Sequence, residues 1–102
     1  RAGRVAPVKT EKDLQRYCKK QAAAKGVLWY KIKFEGQRGC PDVLLAYKGK
    51  IIFVELKSPT GKGRLSELQS HQIKKLTDAG IAACVTDSRE EVDQIIQELT
   101  HP

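Results

Sequence analysis

Apolar residues change period several times along the chain, and each change marks an element. From Thr10 onward, Leu14, Tyr17, Cys18 and Ala22 recur at helical spacing behind the stretch Thr10-Glu11-Lys12-Asp13, in which a capping Thr is followed three residues on by an acid. This predicts a first helix over 10–25, closed by Gly26. "VLWYKIKF" (27–34) then alternates with period two, which predicts a strand with Leu28, Tyr30, Ile32 and Phe34 on one face and Trp29, Lys31 and Lys33 on the other. A polar, Gly-bearing loop (35–41) leads to two further apolar runs, 42–47 and 50–57, joined through Lys48-Gly49 as a hairpin. A second Gly-rich loop (58–64) precedes a helix over 65–79 with Leu65, Leu68, Ile73 and Leu76 inward. A short buried strand (81–87) follows, and Ser88 opens a last amphipathic helix through a Ser-x-x-Glu capping box with Glu91. The predicted order is αβββαβα, an α/β fold: one compact domain over 10–102 behind a loose basic arm, 1–9.

With 102 residues, such a domain hides only about two thirds of its unfolded surface, so every buried charge is costly. No apolar run approaches the ~20 residues of a membrane span. The opening "RAGRVAPVKT" has no apolar stretch of the kind an export signal needs. Cys18, Cys40 and Cys84 are odd in number and lack zinc-site spacing. Together these features predict a cytoplasmic protein with reduced cysteines, in a bacterial or phage-infected cell.

Charge sharpens the picture. The net charge is +7, and it is uneven: residues 1–57 carry 14 Lys and Arg against 5 Asp and Glu, a net +9, whereas the remainder carries 5 against 7, a net −2. A basic half favours a polyanionic partner, usually nucleic acid, although it can also serve only to keep a protein soluble.

The candidate chemistry lies at the ends of the hairpin. Counting outward from Lys48-Gly49 sets Tyr47 opposite Lys50, Ala46 opposite Ile51, and so on down to Asp42 opposite Glu55. Opposed residues project to one face with Cβ atoms roughly 4.5–5.5 Å apart, and Lys57, two residues beyond Glu55, points the same way. The inference depends on an even loop, because a shift of one residue would turn Asp42 to the opposite face. Two carboxylates so close repel unless a cation lies between them, and hard oxygen ligands without His or Cys favour Mg²⁺ or Mn²⁺. With Lys57 near an attacking water or the developing charge on a phosphate, these parts describe phosphodiester hydrolysis. Each fragment alone has a plainer reading: Pro41-Asp42 is a common turn, Glu-x-Lys recurs by chance, and Glu11, although on the inward stripe with Leu14 and Cys18, is also an acid favoured by a helix dipole.

Pro41-Asp42, an apolar strand and Glu55-Leu56-Lys57 resemble the PD-(D/E)xK nuclease superfamily, and within it the VRR-NUC (virus-type replication-repair nuclease) domains. Their pattern of a helix-borne Glu, Gly-x-Pro-Asp, Glu-x-Lys and a following helical Gln is similar to Glu11, Gly39-Cys40-Pro41-Asp42, Glu55-Leu56-Lys57 and Gln69. The resemblance runs from about Thr10 to Leu99. It implies a restriction-endonuclease-like αβββαβ core, a mixed sheet flanked by helices, here with an added C-terminal helix. It also implies DNA hydrolysis with Mg²⁺ or Mn²⁺ held by Asp42, Glu55, the Leu56 carbonyl and Glu11, and with Lys57 beside the water. Gln69 is either an active-site contact or the reciprocal partner in a Ser66-x-x-Gln69 capping box.

Stand-alone domains of this kind resemble homodimeric Holliday-junction resolvases, and two-fold symmetry would supply the paired nicks that a four-way junction requires. Apolar faces near 81–85 and 92–99 are candidate dimer surfaces. Lys31, Lys33, Arg38, Lys62 and Arg64 are the candidate DNA contacts, reading phosphates rather than bases. Trp29 could stack on a base, although partial burial under a helix is the plainer fate. Two other readings stay open: the same chemistry on flap, nicked or restriction-site DNA, and a basic DNA-binding module without turnover. The acidic set argues against the module, since a binder gains nothing from anions facing phosphates.

Overall fold

The structure, a computed structural model, describes residues 7–60 and 65–101. Arm residues 1–6, together with Lys62 and Arg64, lie outside the described residues. Helix α1 spans Glu11–Ala24 and starts on a reciprocal cap: the Asp13 amide donates to Thr10 Oγ1 (3.0 Å) and the Thr10 amide to Asp13 Oδ2 (3.2 Å). Strand β1 covers Leu28–Lys31, β2 Val43–Tyr47 and β3 Lys50–Leu56. Helix α2 (Glu67–Asp78), strand β4 (Ala83–Thr86) and helix α3 (Arg89–Thr100) complete the predicted αβββαβα order. The sheet is mixed, ordered β1-β2-β3-β4, with the first three strands antiparallel and β4 parallel to β3.

The turn between β2 and β3 has the predicted two-residue length. Lys48 and Gly49 both take positive φ (46° and 84°), the conformation whose twist matches that of an antiparallel pair. It fixes the expected register, from Tyr47 opposite Lys50 to Val43 opposite Val54.

The core lies on one face of the sheet. Val43, Leu45, Val54 and Leu56 pack there with Leu14, Cys18 and Ala22 of α1 and with Val92, Ile96 and Leu99 of α3. The apolar stripe of α3 is thus spent on the core, which removes 92–99 as a dimer surface. Trp29 packs against the same core with the Lys19 ammonium 5.4 Å from its ring centre, so it lies under a helix. Val8 packs there as well, and the Lys9 amide donates to Asp13 Oδ2 (3.2 Å), so residues 8 and 9 follow the body of the domain.

Three local expectations change. Strand β1 is shorter than 27–34, and its Leu28 and Tyr30 are about half exposed because no helix covers that part of the second face. Helix α2 starts two residues later than expected, so Leu65 precedes it, and both Leu65 and Leu68 are exposed rather than inward; the inner side is Gln69, Gln72, Ile73 and Leu76, with Gln72 the buried residue. Leu68 instead meets the turn at Gly39. At α3 only half of the capping box forms: Ser88 Oγ accepts from the Glu91 amide (3.1 Å), but the Glu91 carboxylate turns to the Thr86 hydroxyl (2.6 Å) and the Asp87 amide (3.2 Å). The buried Thr86 needs that acceptor more than the open helix end does.

Candidate active site

The second face of the sheet carries Leu44, Phe53 and Glu55, whose neighbours Val43, Val54 and Leu56 point into the core. Glu55 is therefore an acid on a central strand, only 6% exposed. Burial pushes its carboxyl up to about 7, and the negative charge of Asp42 adds to the shift; Lys57 opposes it, Glu11 raises it further and Lys31 lowers it. These neighbours come from four separate places in the chain, brought together at one end of the sheet.

Asp42 directly precedes Val43, the last β2 residue in the ladder, so the same register continued by one step sets it against Glu55. The Ile32 amide donates to the Asp42 carbonyl (2.8 Å), tying this point to β1. Lys31 reaches across to Asp42, its Nζ 2.5 Å from Oδ2. The other oxygen, Oδ1, is buried and takes no hydrogen bond among the described residues.

The turn ahead of Asp42 explains its glycine. Gly39 has φ +81°, and a Cβ there would lie 2.8 Å from Leu68 Cγ and 3.3 Å from the Leu68 carbonyl carbon. Only glycine permits both the conformation and the close approach of α2. That approach brings Gln69 to Glu55, and the two roles open for Gln69 prove compatible. Its Oε1 accepts from the Ser66 amide (3.0 Å) and the Ser66 hydroxyl accepts from the Gln69 amide (3.1 Å), while Nε2 donates to Glu55 Oε2 (3.2 Å). The cap fixes which end of the side-chain amide faces the acid.

Lys57 follows β3. Its amide donates to the Thr86 carbonyl (2.9 Å), and its side chain, 14% exposed, holds the ammonium 3.7 Å from Glu55 Oε2. Both Gln69 and Lys57 thus address Oε2, leaving Oε1 clear of either. Leu56, opposite Thr86 and fully buried, carries its carbonyl between the two site residues. Glu11 opens α1 on the predicted stripe, and its charge is felt at Glu55, yet no group of three acidic, His or Cys side chains is gathered closely enough among the described residues to form a metal cage alone. The donor set fits a divalent cation held by few carboxylates: a buried, unpartnered Asp42 oxygen lies beside a Glu55 whose charge is disfavoured by burial and by that same Asp42.

Of the expected DNA contacts, Lys33 and Arg38 are exposed on the segment between β1 and Asp42. Lys31 is engaged with Asp42, a pairing the sequence reading missed. Its signal would have been the β1–β2 register, which places Lys31 opposite Val43, the residue after Asp42. Cys18, Cys40 and Cys84 are free thiols, and burial pushes Cys18 and Cys84 up to about 11, away from reactivity.

Known proteins resemble this chain in sequence and in fold. A family model for the VRR-NUC domain matches residues 4–90. A protein named "Putative nuclease p44", from Acyrthosiphon pisum secondary endosymbiont phage 1, is 35% identical over 81 residues, covering 78% of this chain and 85% of its own. A solved structure described as a VRR_NUC domain superposes with a TM-score of 0.75 at 31% identity, over 85% of this chain and 94% of that one.

Proposed function

Because the chain belongs to the VRR-NUC domain family and is thus an endonuclease acting on DNA, we propose that it is Mg²⁺- or Mn²⁺-dependent and nicks branched DNA, four-way junctions foremost, as a homodimer. The observation that carries the metal dependence is the buried, unpartnered Asp42 Oδ1 beside the charge-disfavouring pocket of Glu55. Asp42, Glu55 and the Leu56 carbonyl would hold the cation, with Glu11 contributing from the edge. When bound, it would supply Lewis-acid polarisation of the scissile phosphodiester and of a water.

The protein's own groups do the rest. Gln69 holds Glu55 Oε2 in place and leaves Oε1 free of that hydrogen bond. Lys57, nearly buried and only loosely bound to Glu55, can orient a water by hydrogen bonding and balance charge building on the phosphate. Lys33 and Arg38, with Lys62 and Arg64, would meet the backbone phosphates of the bound DNA. Junction resolution requires two symmetric nicks, for which a two-fold pair of sites is the simplest device. Leu28 and Ile51, in one cross-strand row through Ala46, and the neighbouring Tyr30 are exposed on the uncovered sheet face and support a second copy there.

The test uses labelled four-way junctions, flaps, nicked duplex and linear duplex with Mg²⁺, Mn²⁺ or EDTA, alongside light scattering for mass. Metal-dependent paired nicks in the junction, lost in Asp42→Ala while binding persists, are expected. Binding without any nicking under either metal would favour a non-catalytic module, and preferential cutting of flaps or nicked duplex would reassign the substrate.

A further inference from the structure

Asp42 is divided between two environments. Its Oδ2 is held at 2.5 Å by the Lys31 ammonium, whereas its Oδ1 is buried with no hydrogen-bond partner among the described residues. The base of Lys31 is fixed by backbone pairing, since Lys31 stands opposite Val43 and the next amide, that of Ile32, donates to the Asp42 carbonyl at 2.8 Å. The contact therefore follows from the architecture of the sheet. It is also easily displaced: the Lys31 and Asp42 side chains are 50% and 33% exposed, and ion pairs of that exposure are weak. Lys57 is different, because at 3.7 Å from Glu55 Oε2, an oxygen already hydrogen-bonded by Gln69, it makes no comparable claim on its acid.

We propose that Lys31 is a built-in counter-ion of the metal site, which holds the Asp42 carboxylate in its ligand position and competes with the divalent cation for it. This rests on the reading of Asp42 and Glu55 as the metal-holding pair. A dication and an ammonium sharing one carboxylate repel, so cation entry requires Lys31 to withdraw from Oδ2. Lys31 thereby sets the metal concentration at which the site fills, and while it rests on Asp42 its charge is not offered to a DNA phosphate. Lys31 is a positioning residue in this scheme, acting on the metal through Asp42.

Mn²⁺ titration of the DNA-free protein, read by the electron paramagnetic resonance signal of free Mn²⁺ and by calorimetry, tests the idea without reference to nicking. Lys31→Met is expected to bind Mn²⁺ about twofold to fivefold more tightly than the wild type, the fold-change matching a weak ion pair. Lys31→Arg should stay near the wild type. Lys20→Met, an equal loss of charge at an exposed site on α1, should also stay near it, which separates local competition from net charge. Melting in EDTA verifies folding, and Lys31→Gln replaces the methionine variant if that does not fold. Equal or weaker Mn²⁺ binding by Lys31→Met, or by Lys31→Gln in its place, with the wild type binding normally, overturns this inference alone. Failure of the wild type to bind Mn²⁺ overturns the metal-pair reading, and this inference with it.

Discussion

Burial and the proximity of Asp42 push the Glu55 carboxyl up to about 7 from an ordinary 4.5, so between those values the folded, metal-free protein holds a proton that the unfolded chain has released. Stability from this group is full below about 4.5 and is lost as pH rises through 7, the reverse of a salt-bridged acid. In EDTA, the melting temperature should fall from pH 5 to pH 8, and Glu55→Gln should flatten that slope. Mn²⁺ at pH 8 should restore stability to the wild type and not to the variant. Gln69 allows a finer separation. Ser66→Ala removes one side of the α2 cap and should cost about 1 kcal/mol by urea unfolding, with a comparatively small change in nicking. Gln69→Ala should cost a similar amount in stability but slow nicking by about 10- to 100-fold, since it also frees Glu55.

At the scale of elements, the site depends on how strand and helix ends meet. The start of β2 and the end of β3 are brought together by a hairpin whose turn allows one register, and α2 is brought in by the close approach of Leu68 to Gly39. Gly39→Ala adds a methyl group where φ is +81° and Leu68 Cγ would be 2.8 Å away, so a loss of about 1–3 kcal/mol is expected in urea unfolding. Nicking should fall more steeply than stability, because Asp42 and Gln69 flank the disturbed contact on either side. An additional Leu68→Ala should relieve the clash but not the backbone strain, giving partial recovery. Alternation over 27–34 and the leucines of α2 misled for one reason: both lie where the sheet face is only partly covered, and periodicity reports that a face is apolar without reporting what packs on it.

Taken whole, the molecule has one helix-covered sheet face that supplies stability and one partly open face whose acidic end holds the proposed site. Residues 1–57, which include the acidic pair, carry a net +9, which lets a protein with a negative site hold a polyanion. Junction binding in EDTA should therefore weaken about a hundredfold between 50 and 200 mM salt, as expected for about four phosphate contacts. Lys33→Ala and Arg38→Ala should each reduce the slope of log affinity against log salt by about one, measured by fluorescence anisotropy.

Local sequence was enough for the order of elements, the hairpin register and the pairing of Asp42 with Glu55, because a two-residue Lys-Gly turn and period-two alternation are short-range constraints. The helix stripe that includes Glu11 was legible for the same reason. Tertiary structure alone decided that Lys31 rests on Asp42, that Gln69 caps its helix and holds Glu55 at once, and that Glu91 leaves its cap for Thr86. Each of those contacts joins elements separated by loops of unspecified path. For Glu55 and Thr86 the choice of partner is set by which buried polar group would otherwise go unsatisfied, and for Lys31 by which acid lies within its reach across the sheet; a one-dimensional pattern carries neither.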